Sequence, residues 1–421
     1  MYISAQEAVF MPQSTKRLLV IGFVWPEPQS SAAGRRMMQL LQFFADNNWQ
    51  ITFASTAKKT KYTEDLESIG IETTEIRVNH QSFDHFIKEL SPDAVMFDRF
   101  MTEEQFGWRV QTTCPEAIRI LDTEDLHSLR YARQKSRQEG VSLNEAYVKS
   151  DIAKREIASI YRSDLSLIIS EPEIDYLTTQ FKIDDSILHY LPYMIEAHPD
   201  KLPAFENRKN FVTIGNFRHK PNLDSVEFLK NEIWPKISAE LPEAEMHVYG
   251  AYPTQQVKEW NKPSERFFVK GRAESAQNVI SNARVCLAPL RFGAGLKGKL
   301  TESMQYGLPS VTTTIGAEGI NGKLPWPGDI ADDATEFAKA AVDLYQNREK
   351  WLMAQEAGYR IIKERFYPKV HRADFKKRLE VLSRGLTAHR NNNFIGAMLS
   401  HHTMASTRFM SRWIEEKNRG D

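Results

Sequence analysis

Cysteine is nearly absent: 421 residues contain 2, Cys114 and Cys286, far apart in the chain. That rules out a disulfide scaffold and any zinc-type cysteine spacing. Each thiol sits in or beside an apolar run and reads as a buried group of a reducing compartment. Net charge is lacking as well, because 55 Lys and Arg balance 55 Asp and Glu. Nucleic-acid binders are usually more basic than this. No apolar run approaches the length of a membrane span. Met1–Gln13 lacks the basic-then-apolar order of a signal peptide, so a cytoplasmic location is expected. The first strand is followed by no GxGxxG of a dinucleotide site. The Asp122-Thr123-Glu124-Asp125 run has the wrong spacing for a metal-binding DxD. What is present is 41 % apolar content, enough for ordinary cores, and a length that suits two domains.

The first half reads as alternating strands and helices. LLVIGF after Lys16-Arg17 is a short strand, the loop PQSSAAGRR feeds a helix from Gly34 to Asn47, and Gln50–Ser55 is the next strand. Such a βαβ opening implies a parallel, doubly wound sheet. Further strands are read near Ile71–Ile76, at Ala94–Asp98, in AIRILD up to Asp122, and at Leu165–Ser170. Helices are expected at Phe83–Leu90 and near Glu103–Val110. Two readings stand for the segment after Asp122. Its carboxylates cap the following helix, or Asp122 and His127 face a cleft, since α/β proteins place ligands just past the carboxyl ends of strands. Glu124 is assigned to the capping role, and Arg130–Arg162 to a solvated surface helix pair. The polar, proline-bearing segment 196–210 is the expected boundary.

In the second half, Phe211–Gly215 is a strand followed by the basic loop Asn216–Asn222 and a helix from Asp224 to Ile237. Strands ending at Gly250 and at Gly271-Arg272 follow. Val285–Ile320, VCLAPLRFGAGLKGKLTESMQYGLPSVTTTIGAEGI, then combines a buried strand, a glycine-rich loop, an amphipathic helix and another strand. Within Arg291–Lys299 stand three glycines and two lysines. Side-chain-poor residues bare backbone N–H groups at a helix N-terminus, where the dipole favours an anion. Lys297 and Lys299 add charge there. Glu302, in the first helical turns, suits the hydroxyls of a sugar or ribose. The combination reads as a phosphate cradle with a hydroxyl-reading carboxylate.

This stretch resembles the donor-site segment of retaining, nucleotide-sugar-dependent glycosyltransferases of the GT-B type, family 4, the group 1 transferases. The resemblance implies two Rossmann-like domains facing a cleft: 1–195 on the acceptor side, 196–368 on the donor side, then a crossover helix at 369–384. The family shows two glutamates with seven residues between them; the second matches Glu302, which implies a ribose contact, and the first falls at Ala294. The N–H groups of Gly293–Gly295 and the Lys297 ammonium are implied to hold the diphosphate, joined by Gly215, Arg218 and Lys220. Gly250, Gly271 and Arg272 are implied base or cleft contacts. Gly34 and Arg35 match the family's small-residue loop near the diphosphate, while an N-cap by Ser30 or Ser31 explains the same residues. The implied catalytic set is Lys297, Arg218, His127 and Asp122, with no metal and no cofactor beyond the nucleotide-sugar co-substrate. The implied activity is hexosyl transfer from a nucleotide-diphosphate sugar to a hydroxyl of a glycan, lipid-linked or protein acceptor, as in polysaccharide biosynthesis. The rival reading is a transferase-like subunit that binds without catalysis, motivated by Ala294. A two-domain sugar-nucleotide epimerase shares the architecture.

Residues 385–421 form an amphipathic extension. From Phe394, the side chains Ile395, Met398, Leu399, Met410, Trp413 and Ile414 approximate one helical face, flanked by Arg408, Arg412 and Lys417. Packing on the first domain is the favoured role, and peripheral contact with the inner face of a membrane through 394–417 the second.

Overall fold

A computed structural model describes residues 15–148, 150–196, 199 and 201–420. Met1–Gln13, read above for the lack of a signal peptide, lies outside them. In the first half β1 (Arg17–Gly22), α1 (Ala32–Asp46), β2 (Gln50–Ser55), β3 (Glu72–Glu75), α2 (Ser82–Leu90), β4 (Ala94–Asp98), α3 (Phe100–Thr113) and β5 (Ile118–Asp122) come first. Three helices follow, α4 (His127–Glu139), α5 (Leu143–Val148) and α6 (Asp151–Arg162), then β6 (Leu165–Ile168), α7 (Glu171–Gln180) and β7 (Leu188–Tyr190). The strands pair in parallel as β3-β2-β1-β4-β5-β6-β7. Strand periodicity sorts each run between two layers: Leu19 and Ile21 enter one core, Leu18 and Val20 the other. A strand covered on both faces must be apolar throughout, which is why LLVI shows no alternation.

The second half repeats the plan. It holds β8 (Lys209–Ile214), α8 (Lys220–Phe228), α9 (Trp234–Glu240), β9 (Met246–Tyr249), α10 (Gln255–Glu259), β10 (Phe267–Gly271), α11 (Ala276–Asn282), β11 (Ala283–Ala288), α12 (Gly298–Gln305), β12 (Ser310–Thr312), α13 (Thr314–Ala317) and β13 (Gly328–Ile330). The sheet order is β10-β9-β8-β11-β12-β13, again parallel. Val285 and Leu287 face one core and Cys286 and Ala288 the other, so Cys286 is a fully buried packing residue. Two details depart from the sequence reading. The single helix expected from Asp224 to Ile237 is α8, a π turn at Leu229–Ile233, and α9, because Pro235 lacks an N–H and the backbone opens ahead of it. The edge strand β13 was not expected, its three residues following a Pro-Trp-Pro run that reads as loop.

Helices α14 (Ala334–Gln346) and α15 (Arg348–Arg365) cover the second sheet, after which α16 (Pro368–Asn392) returns to the first domain. The outgoing and returning chains meet where the Ile195 N–H donates to the Phe366 carbonyl at 2.8 Å. On its return α16 buries Phe375, Leu379 and Leu382 in the first domain's core, Phe375 lying 4.7 Å from the Phe43 ring. A final helix, α17 (Phe394–Lys417), packs on α3 and α6.

Candidate functional site

Both sheets reverse their strand order between two neighbours, β1/β4 in the first and β8/β11 in the second. Crevices open past the carboxyl ends of strands at such points. A cavity of about 660 Å³ lies there, bounded by both domains. It receives most of the loop from Phe23 to Arg35 after β1, Asp98 and Arg99 at the end of β4, Ile214, Gly215, Asn216, Arg218 and His219 at the end of β8, and Gly293, Ala294, Leu296 and Lys297 leading into Gly298 and Lys299 of α12. The volume is that of an ordinary small-molecule site.

Helix starts converge on it. Ser31 caps α1, its Oγ accepting from Gly34 N–H at 3.0 Å. Ser31, Gly34 and Arg35 also line the cavity, so the capping role and the cleft position coexist. The first turns of α8 and α12 line the same space through Pro221 and Asn222, and through Gly298 and Lys299. At α12 the N–H groups of the first turn favour an anion, whereas in α8 Pro221 has no N–H and Asn222 gives its own to the His219 carbonyl at 3.0 Å. Around them stand Arg218, Arg272, Lys297 and Lys299. The Lys297 ammonium is 2.8 Å from the Gly295 carbonyl and 3.8 Å from Glu318. Lys299 donates to Asn222 at 2.9 Å, tying the glycine loop to the loop after β8. Burial lowers both ammonium groups to about 8.

Glu302 faces the cavity from α12. Its Oε1 accepts from Arg35 Nη1 at 2.6 Å across the cleft, while Oε2 is buried with no partner among the described residues. Burial raises this carboxyl, against the pull of Arg35. Other ties span the cleft. Arg133 grips Glu318 with two bonds of 2.7 and 2.6 Å and donates to the Gly293 carbonyl at 2.8 Å. The Tyr252 hydroxyl donates to Glu27 at 2.8 Å and Arg272 lies over Tyr62 at 4.3 Å, while within the second domain the Arg218 guanidinium stacks 3.6 Å from the Tyr252 ring. Gly295, at φ +61°, packs where a Cβ would meet the Asp125 Cβ at 2.7 Å. Its N–H is already donated to Glu173 of the first domain, at 2.8 Å.

The first domain's wall of the cavity carries Asp98, Arg99, Glu124, Asp125, His127 and Arg130. Arg130 is ion-paired with Asp125 and, against burial, holds that carboxyl well below the usual range. Burial, then Arg130 and Arg99, push His127 down to about 3 against the pull of Asp125, leaving it neutral near pH 7. Burial and neighbouring Asp122 raise Glu124 far above the ordinary carboxylate range, at a residue whose φ is +61°. A neutral imidazole on this wall can donate to or accept from a bound hydroxyl.

Several sequence expectations change. Asp122 is not a cleft residue: it is 0 % exposed and chelates the Arg36 guanidinium at 2.9 and 3.0 Å beneath the cavity floor. Glu124, assigned to a capping role, lines the cavity instead, and α4 is capped by Glu156 through His127 and Ser128 N–H. Arg130–Arg162 is three helices rather than a solvated pair, because Arg130 and Arg133 turn into the cleft and Arg162 is buried against Glu103. Lys220 is exposed at the head of α8 and Gly271 stands beside the cavity rather than on it, whereas Gly215, Gly250, Arg272, Gly293 and Ala294 line it. Gly295 is spent on the domain contact, so its N–H is not free for a ligand. Ala294, at the position of the missing glutamate, packs its methyl on the first domain's core. Asp98, Arg99, Glu173 and Arg133 were given no site role. Only the strand order reveals that β4 ends at the switch point.

Residues 208–347 match the model of the family described as Glycosyl transferases group 1. A curated relative, an uncharacterised 44.6 kDa protein in the cps region of Klebsiella pneumoniae, is 24 % identical over 202 residues, 46 % of this chain and 50 % of that protein. The chain thus spans half the length of this relative. Solved structures share the fold across nearly the whole chain. Sucrose-phosphate synthase of Thermosynechococcus elongatus superposes with a TM-score of 0.64 at 14 % identity, over 89 % of this chain and 99 % of its own. A glycosyltransferase of Rickettsia africae gives 0.62 at 13 % over 89 % and 99 %. HepE of Anabaena, in complex with UDP and glucose, gives 0.63 at 10 % over 87 % and 100 %. The two facing parallel-sheet domains are therefore the GT-B arrangement.

Proposed function

From the match of residues 208–347 to the group 1 glycosyl transferase model and the GT-B fold of the chain, we propose that this protein moves a sugar from a nucleoside-diphosphate sugar to an acceptor hydroxyl. The observation that carries the reading is the buried, unpartnered Oε2 of Glu302, set among three helix N-termini and the side chains of Arg218, Lys297 and Lys299 in one cavity. A diphosphate satisfies the N–H groups and cations, and a ribose hydroxyl satisfies the orphaned oxygen. In this reading the nucleotide lies on the second domain and the acceptor on the first, beside Glu124, His127 and Arg99. The acceptor oxygen bonds the anomeric carbon as its bond to the diphosphate breaks. The acceptor's proton passes to the leaving phosphate on the same face, which retains configuration. Lys297, Lys299, Arg218 and the α12 N-terminus stabilise the charge that gathers on the diphosphate. No metal is assigned to that task. The acceptor is read as a glycan or lipid-linked glycan, and the relative in a cps region supports that reading.

Titration calorimetry with a panel of nucleoside diphosphates tests the donor half. Saturable binding of at least one, weakened in Glu302→Gln, is the expected result; no binding by any of them removes the assignment. A second reading, a binding subunit without turnover, is favoured by Ala294, whose methyl packs on the first domain where the family carries a carboxylate. Incubation with the bound nucleotide's sugar conjugates and a glycan acceptor separates the two: nucleotide release coupled to glycan extension supports transfer, and binding without release supports the subunit.

A further inference from the structure

Among the described contacts, helix α17 is fastened through one side. Its inner face is small and polar: Gly396 sits against the Tyr161 carbonyl, where a Cβ would come within 2.1 Å, and Ser400 and Ser411 are buried. Ser411 donates to Asn79 at 2.7 Å, Glu415 is ion-paired with Arg109, and Asn393 at the start donates to the Tyr161 carbonyl at 2.7 Å. These contacts fix which way the helix is turned. The face opposite them is apolar and open to solvent, with Phe394 74 %, Phe409 69 % and Trp413 61 % exposed, accompanied by Ile395 and Met398. At about 100° per residue these five fall within one arc of roughly 100°.

Charge says what covers that face. Between Glu380 and Glu415 the chain contains no aspartate or glutamate, yet it carries Arg384, Arg390, Arg408 and Arg412. Of these, Arg390 is consumed by Asp164. Arg408 and Lys417 are exposed on the two edges of the aromatic arc and Arg412 and Glu416 within it, the Lys417 ammonium lying 5.5 Å from the Trp413 ring. Of the acids that follow among the described residues, Glu415 is ion-paired with Arg109 and Glu416 with Arg419 at 2.7 Å. Two copies of such a face would oppose arginine to arginine, which disfavours self-association. Among the described residues no helix is long and apolar enough to cross a membrane. An apolar arc of Phe, Trp, Ile and Met bordered by cations matches the boundary between acyl chains and anionic headgroups. We infer that α17 docks the protein on a bilayer rich in anionic phospholipid, its aromatic side chains entering the surface and its arginines meeting the headgroups. The surface belongs to the first domain, since α17 packs on α3 and α6, and the inference does not depend on the proposed reaction.

Co-sedimentation of the full-length protein with vesicles tests it, using pure phosphatidylcholine and the same lipid with about 30 mol % phosphatidylglycerol at about 0.1 M salt. The expected result is pelleting with the anionic vesicles and little with the neutral ones. Arg408→Glu with Arg412→Glu is expected to weaken that binding by at least about 25-fold, and Phe409→Ala with Trp413→Ala to abolish it. All four side chains are exposed, so the thermal midpoint should hold and a folding defect is separable. Failure to pellet with either vesicle overturns the inference. So does equal pelleting of wild type and both variants, or a wild-type dimer that Phe409→Ala with Trp413→Ala disperses while vesicles bind neither protein.

Discussion

Arg35 and Glu302 meet across the cleft, guanidinium to carboxylate at 2.6 Å, one on the first helix of the first domain and the other on the α12 helix of the second. The pairing uses one carboxylate oxygen and leaves the other buried and unsatisfied. A buried acceptor in that condition costs about 1–3 kcal/mol until a donor reaches it. Under the donor reading, a ribose hydroxyl is that donor. Glu302→Gln should therefore weaken nucleoside-diphosphate binding by about tenfold or more. It should also shrink the preference for ribo- over deoxyribonucleotides. An unchanged preference in the variant would detach Glu302 from the ribose.

Lys297 is predicted to act on the leaving group. Replacing it with methionine keeps the buried stem and removes the charge, so turnover should fall by ~10²-fold with a smaller change in KM. Steady-state kinetics with the identified donor would check this, and unaltered kcat would exclude the lysine from the chemistry.

Titration of the two loop lysines gives a pH dependence. Burial lowers Lys297 and Lys299 to about 8, so the charge each offers is present below that pH and lost as pH rises through it. kcat/KM, which reports the free protein, should decline above about pH 8. Bound diphosphate favours the charged form, so kcat should hold to a higher pH. Calorimetry near pH 8 in buffers of different ionisation enthalpy should then show protons taken up on binding.

Asp122 is expected to matter for stability first. Its partner Arg36 is 1 % exposed and also donates to the Leu191 carbonyl at 2.7 Å. Asp122→Ala leaves that guanidinium buried without its carboxylate, which costs about 3–5 kcal/mol. Denaturant unfolding should show the loss even for protein that never meets a donor.

Gly295 holds a left-handed φ of +61° and touches Asp125 of the other domain. Gly295→Ala is predicted to destabilise the closed arrangement by more than about 1 kcal/mol, through backbone strain and through the clash. Small-angle scattering should detect the wider separation as an increased radius of gyration.

Much of the architecture was legible because each buried strand is a short apolar run closed by glycine, proline or a polar cluster. Ala94–Asp98 and Ser310–Thr312 could be read directly, as could the glycine loop and Glu302, whose spacing is local. What escaped was everything decided by distant partners. Asp122 and Glu124 are near neighbours with similar chemistry, and only Arg36, arriving from α1, draws the first beneath the floor while the second faces the cavity. Arg130 and Arg133 look like solvated helix charges until the second domain supplies Glu318 and the Gly293 carbonyl. The C-terminal helix was read as packing on the first domain first and membrane contact second; it packs on that domain through one side and leaves Phe394, Phe409 and Trp413 exposed on the other.

The hydrogen bond between Ile195 and Phe366 holds the outgoing and returning chains together at the domain junction. A body attached by two adjacent strands of polypeptide can swing about the line through them but cannot slide or spin freely. Any widening of the cleft must therefore part Arg35 from Glu302, Arg133 from Glu318 and Gly295 from Glu173 together.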